Sequence, residues 1–147
     1  IAGERFMDAV KLPVTMHHSN GALAYSRIAY SHDMVTLYSA ADVVVCRAGA
    51  STIAEVSTVG VCAVVVPWKD AAENHQLVNA QWLTDRGGAV LLEENALTAH
   101  EFSQLVTELL RDDDRRSAIA SRARELGAVH RQSSIASVIE GAAKAKV

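Results

Sequence analysis

The segment Arg47-Ala48-Gly49-Ala50-Ser51-Thr52 joins the short apolar run Asp42-Val43-Val44-Val45-Cys46 to a helical pattern that ends near Val59. Small residues at such a junction let a ligand approach the backbone. The free N–H groups and the dipole of the helix start favour an anion there. The hydroxyls of Ser51 and Thr52 can add hydrogen bonds. An ordinary capped strand-to-helix turn uses the same residue types, because Thr52 and Glu55 stand at capping-box spacing. Glu55 lies one turn into the helix on the face of Ser51 and Thr52. Its carboxylate suits two vicinal ribose hydroxyls, or it serves as the capping partner. Arg47 either meets a phosphate or pairs with a carboxylate such as Asp42.

A second polar cluster reads Pro67-Trp68-Lys69-Asp70-Ala71-Ala72-Glu73-Asn74-His75-Gln76, followed by Asn79. Gln76 and Asn79 are three apart and share a helix face. Amides both donate and accept, which fits sugar hydroxyls. Asp70 and Glu73 have no matching histidine or carboxylate array around which to build a metal site. His75 alone reads as a surface histidine. His17 and His18 are neighbours on a strand pattern, so their side chains point to opposite faces and do not chelate together. Cys46 and Cys62 form neither a CxxC pair nor a disulfide framework. Each sits in a valine-rich run, where a free thiol behaves as a small apolar residue and suits a reducing cytoplasm.

These clusters need elements to hold them. The pattern predicts a short helix over 4–10, a strand over 12–18 and a looser stretch over 19–27. It then predicts a helix from Asp33 through Ala41, strands at Asp42–Cys46, Cys62–Val66 and Ala89–Leu92, and helices near 51–59 and 74–85. Gly60 follows the first of these helices where helix ends prefer glycine. Thr98 and Glu101 are a further capping-box match, opening a helix through Leu110. Asp112-Asp113-Asp114 places acid at the start of another helix, and an alanine-rich helix closes the chain over about 133–144. Alternating strands and helices mean βαβ units, so the expected fold is α/β, a doubly wound parallel sheet. Ligands in such sheets bind beyond the carboxyl ends of the strands, which selects the loops after Tyr30, Cys46 and Pro67.

Composition bounds the function. The chain has 147 residues, half of them hydrophobic and 5% aromatic, enough for one domain with a real core. A net charge of −3 lacks the basic stripe of a nucleic-acid binder. No apolar run approaches the roughly 18 residues of a membrane span, and no cleavable leader is expected. A dinucleotide dehydrogenase would need a GxGxxG fingerprint, which is absent from the sequence. A UDP-sugar epimerase of similar architecture would need catalytic carboxylates of its own.

Taken in order, Ala41 through Glu55, Gly60, Pro67, Asn74-His75-Gln76 with Asn79-Ala80, and Gly87-Gly88-Ala89 closely resemble the MurG family, bacterial UDP-N-acetylglucosamine transferases that make lipid II from lipid I. The match is to the carboxyl-terminal, donor-binding domain and covers essentially the whole chain. The resemblance implies the Rossmann-like carboxyl-terminal half of a GT-B glycosyltransferase, inverting and metal-independent, with no cofactor. It places Glu55 on the ribose, and Gly49, Ala50, Ser51 and Thr52 at the diphosphate and sugar. It places Gln76 on N-acetylglucosamine hydroxyls, with His75 where some members carry a second glutamine and Asn79 beside them. Tyr30 caps the uracil, the backbone of Ser31 reads its edge, and Arg47 is the motif arginine. No catalytic base falls in this chain. The expected domain organisation is a UDP-sugar domain over 1–147, lacking its first strand and glycine-rich loop, with the amino-terminal acceptor domain absent. The implied partners are UDP-N-acetylglucosamine and, through the missing domain, lipid I and the cytoplasmic face of the bacterial inner membrane. The second reading is a non-catalytic UDP-sugar-binding subunit that needs a separate acceptor subunit, or another GT-B UDP-sugar enzyme.

Overall fold

The computed structural model describes residues 15–18, 21–96, 98–132 and 134–144. The chain forms two compact units, residues 1–34 and 35–147. In the first, β1 (Thr15–His18) pairs antiparallel with β2 (Gly21–Ala24), from Thr15 opposite Ala24 to His18 opposite Gly21. The strand expected over 12–18 is therefore present over its described part, but the stretch after it is a hairpin partner rather than a loose connection. Only two residues separate the strands, the loop length of a β-hairpin. The helix expected over 4–10 lies outside the described residues.

Helix α1 (Met34–Ala40) leads into the second unit. There follow β3 (Val44–Cys46), α2 (Ala50–Val59), β4 (Ala63–Val65), α3 (His75–Thr84) and β5 (Val90–Leu91). The chain then runs through α4 (Ala99–Arg111), α5 (Asp113–Leu126), α6 (Ala128–Arg131) and α7 (Ser134–Lys144). The strands make a parallel sheet in the order β3-β4-β5, with Val45 opposite Val64 and Val64 opposite Val90. Flanking helices complete the doubly wound arrangement.

Central β4 is buried on both faces, with Ala63, Val64 and Val65 inaccessible to solvent. Cys62, Val64 and Val66 share one face and cluster with Leu109 of α4, with Val90, Leu105 and Ile119 packed around them. Burying a leucine as Leu109 is buried contributes about 2 kcal/mol. Ala63 and Val65 alternate to the other face, and Ile53 and Val56 of α2 and Ala80 and Leu83 of α3 are buried too. Burial on both faces was expected for β3 as well, but Val45 is 45% exposed. β3 is the edge of this sheet, so one of its faces is left partly uncovered.

Local chemistry sets the helix ends. The capping box at Thr98 and Glu101 is complete, and the Asp112 carboxylate accepts from the Arg115 N–H at 2.9 Å. Gly60 ends α2 with φ of 77°, a left-handed conformation that costs other residues strain, and its N–H donates to the Val56 carbonyl. α5 and α6 turn at Gly127, where the reason for glycine is different. Its φ is an ordinary −67°, but a Cβ there would run into the Ser57 carbonyl and the Thr58 nitrogen on α2. Gly127→Ala should therefore push α5 and α6 off α2 and destabilise the protein by about 2–3 kcal/mol, read as a lower urea midpoint. An unchanged midpoint would show that this corner relaxes freely.

Candidate functional site

The three loops at the carboxyl ends of β3, β4 and β5 are tied to one another. Arg47, just past β3, reaches the Val66 and Pro67 carbonyls after β4 at 3.4 and 3.3 Å. Its other terminal nitrogen meets Glu94 Oε1, after β5, at 2.7 Å. Glu94 Oε2 accepts from the Lys69 N–H at 3.2 Å. The Arg47 bond and the Lys69 amide hold the Glu94 carboxyl below its usual range. Arg47 thus pairs with Glu94 rather than Asp42, and its hydrogen bonds latch the loops together. Glu94 carries the latch and was not among the predicted site residues. Its position just past a strand's carboxyl end was the signal available.

The start of α2 is open. Its N-cap is Gly49, with no side-chain cap, and the first loop-to-helix bond runs from the Ile53 N–H to the Gly49 carbonyl. The N–H groups of Ala50, Ser51 and Thr52 find no acceptor among the described residues. The capping box expected at Thr52 and Glu55 does not form. Because the helix begins at Ala50, Thr52 is its third residue rather than its cap. Glu55 instead accepts from the Tyr38 hydroxyl through Oε2 at 3.3 Å. Gly49 has φ of −62°, which any residue adopts, and a Cβ there would touch only Thr52 Oγ1 at 3.7 Å. Nothing in the fold itself demands glycine at this point. What glycine supplies is room above three unpaired N–H groups, the arrangement an anion takes at a helix start.

Before α3 the chain makes a tight 3-10 turn over Ala72–Asn74, with Glu73 and Asn74 both left-handed at φ of 51° and 53°. Two consecutive non-glycine residues in that region store strain of about 1–3 kcal/mol each. The turn delivers His75 and Gln76 at the start of α3. Gln76 Oε1 accepts from the Trp68 N–H at 3.0 Å, leaving its amide nitrogen to donate elsewhere. His75 Nδ1 sits 2.6 Å from the Ala72 carbonyl. A carbonyl only accepts, so Nδ1 carries the proton and Nε2 presents a lone pair. Asn79 does share the face of Gln76, but its Nδ2 donates to the Ala48 carbonyl at 3.1 Å. It fixes the loop before α2 with the amide nitrogen proposed for a sugar.

Tyr30 and Ser31 belong to the first unit. Tyr30 is 69% exposed and meets the His32 ring edge-on at 4.8 Å between centroids. Ser31 Oγ accepts from the Asp33 N–H at 3.1 Å. Both cysteines are free, and burial raises both thiols, Cys46 to about 11, so neither is a nucleophile at neutral pH. Among the described residues no group of three histidine, cysteine or acidic side chains gathers to hold a metal. A cleft of about 370 Å³ opens beside the amino-terminal ends of β3 and β4, between Asp42, Gly60 and Arg116. The Arg116 guanidinium is already engaged by the Leu109 and Leu110 carbonyls and Asp113, so the cleft offers an anion little.

A parallel sheet flanked by helices, with an uncapped helix start at the carboxyl end of a strand, defines a Rossmann-like α/β domain. The chain belongs to the family described as the glycosyltransferase family 28 C-terminal domain, whose model matches residues 7–139. Among similar proteins is the UDP-N-acetylglucosamine–N-acetylmuramyl-(pentapeptide) pyrophosphoryl-undecaprenol N-acetylglucosamine transferase of Burkholderia vietnamiensis. It is 39% identical over 127 residues, which cover 85% of this chain and 34% of that protein. The transferase of the same name from Xanthomonas campestris is 44% identical over 107 residues, covering 73% of this chain and 25% of the relative. The crystal structure of Acinetobacter baumannii MurG superposes with a TM-score of 0.62 at 39% identity, covering 67% of this chain and 29% of that one. The chain thus spans about a third or less of the length of these relatives.

The loop geometry makes Asn79 a structural tie. Asn79→Ala leaves the carbonyl of fully buried Ala48 without its donor and should cost about 1–2 kcal/mol in chemical denaturation. Asn79→Asp should cost more, because it sets a carboxylate against that carbonyl. Equal stability of all three proteins would show that the loop is held by other means.

Proposed function

We propose that this chain is the donor-binding half of an inverting glycosyltransferase that moves N-acetylglucosamine from UDP-N-acetylglucosamine to lipid I, forming lipid II for peptidoglycan. The observation that carries the reading is the open start of α2, three unpaired N–H groups under a glycine the fold does not require. The names of the relatives and of the MurG structure supply the substrate class.

In this reading the donor diphosphate rests on the N–H groups of Ala50, Ser51 and Thr52, and the Ser51 and Thr52 hydroxyls add to the cradle. Glu55 accepts from the ribose hydroxyls. The free amide nitrogen of Gln76 and the Nε2 lone pair of His75 meet the sugar hydroxyls, which donate and accept. Tyr30 covers the uracil and the Ser31 backbone reads its edge. Arg47 and Asn79 keep the loops in register. The transfer is a displacement at the anomeric carbon. The acceptor hydroxyl forms the new C–O bond as the bond to the diphosphate breaks, through an oxocarbenium-like ring. Negative charge grows on the leaving UDP, where the fixed N–H groups and the helix dipole stabilise it without reorganising. That stabilisation takes the place of a divalent cation. The acceptor's proton goes to a base on an amino-terminal domain of the kind the longer relatives have room for. That domain also carries the contact with lipid I and with the cytoplasmic face of the membrane. No helix among the described residues is long and apolar enough to cross a membrane.

Replacing Glu55 with alanine should weaken UDP binding by about 1–3 kcal/mol, the worth of hydrogen bonds to a charged group. Isothermal titration calorimetry measures it directly, and an unchanged dissociation constant would remove Glu55 from the ribose.

A further inference from the structure

Tyr38 is a buried polar group that the proposed chemistry does not use. Only 7% of it is exposed, yet it comes from α1, outside every loop singled out as binding. Its hydroxyl donates to Glu55 Oε2, whose residue is exposed on α2 above it. A buried tyrosine hydroxyl takes a partner where it can find one. Here the acceptor is one oxygen of the carboxylate assigned to the ribose.

We propose that Tyr38 is a positioning residue for nucleotide recognition, whose hydroxyl holds the Glu55 carboxylate in the orientation that accepts from the vicinal hydroxyls of a nucleoside diphosphate. The inference rests on the reading of Glu55 as the ribose ligand. A glutamate on a helix surface samples several rotamers, and a ligand that needs one of them must order it on binding. A tether from below removes that cost beforehand. It engages only Oε2, so Oε1 and the second lone pair of Oε2 remain for two hydroxyls. The 3.3 Å separation is long for an O–H···O bond, so the contact adds little to the stability of the fold. Burial, the Glu55 charge and the Cys46 thiol push the Tyr38 hydroxyl up to about 12, so it is a donor at neutral pH.

The test titrates the chain calorimetrically with UDP and with 2′,3′-dideoxyuridine diphosphate, which lacks both ribose hydroxyls. Tyr38→Phe keeps the ring and removes only the donor. It should weaken UDP about three- to tenfold, leave the dideoxy ligand unchanged, and have no further effect on UDP in a Glu55→Ala background. The dideoxy ligand also reports that the site is folded in each variant. Equal losses for both ligands would reduce Tyr38 to packing and overturn the proposal. So would Tyr38→Phe binding UDP like wild type while Glu55→Ala binds it weakly, a result that leaves the ribose reading standing. If Glu55→Ala binds UDP like wild type, the ribose reading fails and this inference falls with it.

Discussion

The structure depends on leaving a helix end unsatisfied. Backbone N–H groups that lack partners are costly unless water or a ligand takes them, and most helices close their first turn with a side chain. α4 does so with Thr98 and Glu101, and α5 with Asp112. α2, like α3 and the short α6, has no side-chain cap, although Ser51, Thr52 and Glu55 lie in its first turns. The loop is fixed from outside instead. Asn79 holds the Ala48 carbonyl, and Arg47 is fastened to Glu94 and to the carbonyls after β4. With the loop held there, no side chain folds back over the amides, and the end of α2 is available to an anion.

The surrounding charges are arranged in keeping with this. The one cation in the loop, Arg47, is neutralised by Glu94 and sits half exposed. The positive character offered to a diphosphate is then mainly that of the backbone, fixed in direction and requiring no side-chain ordering. Beneath it, the double burial of β4 supplies rigidity. Strands covered on both faces have little freedom to shift, and the loops that leave them inherit that precision. The left-handed pair Glu73 and Asn74 adds strain on the opposite rim, where Gln76 and His75 face outward. Strain of this kind persists only where the neighbours hold it in place.

Much of this was legible in the sequence. Valine-rich runs of four or five residues fit short buried strands, a burial the structure gives β4 but not β3, and Gly60, Thr98 with Glu101, and Asp112 announced helix ends that the structure reproduces. The loop after Cys46, Glu55 and Gln76 stand out in the sequence as polar or small residue types at strand-to-helix junctions. Contacts between distant segments were not. Tyr38 is 17 residues from Glu55, and Arg47 is 47 from Glu94, so no spacing rule links them. The Thr52–Glu55 box failed for a related reason. A one-dimensional pattern gives the spacing of a cap but not which residue starts the helix, and with a start at Ala50 Thr52 is no longer the cap and Glu55 meets Tyr38 instead. The antiparallel pairing of β1 and β2 was not legible because Gly21-Ala22-Leu23-Ala24 lacks the apolar–polar alternation that marks a half-buried strand.

The central claim is that a nucleoside diphosphate docks on the bare N–H groups of α2 without a metal ion. A ¹⁵N-labelled amide titration with UDP, run with excess chelator, tests it most directly. The account predicts saturable shifts that are largest at the amides of Ala50, Ser51 and Thr52 and are unchanged by the chelator. Shifts that bypass those three amides, or that vanish once divalent cations are removed, would contradict it.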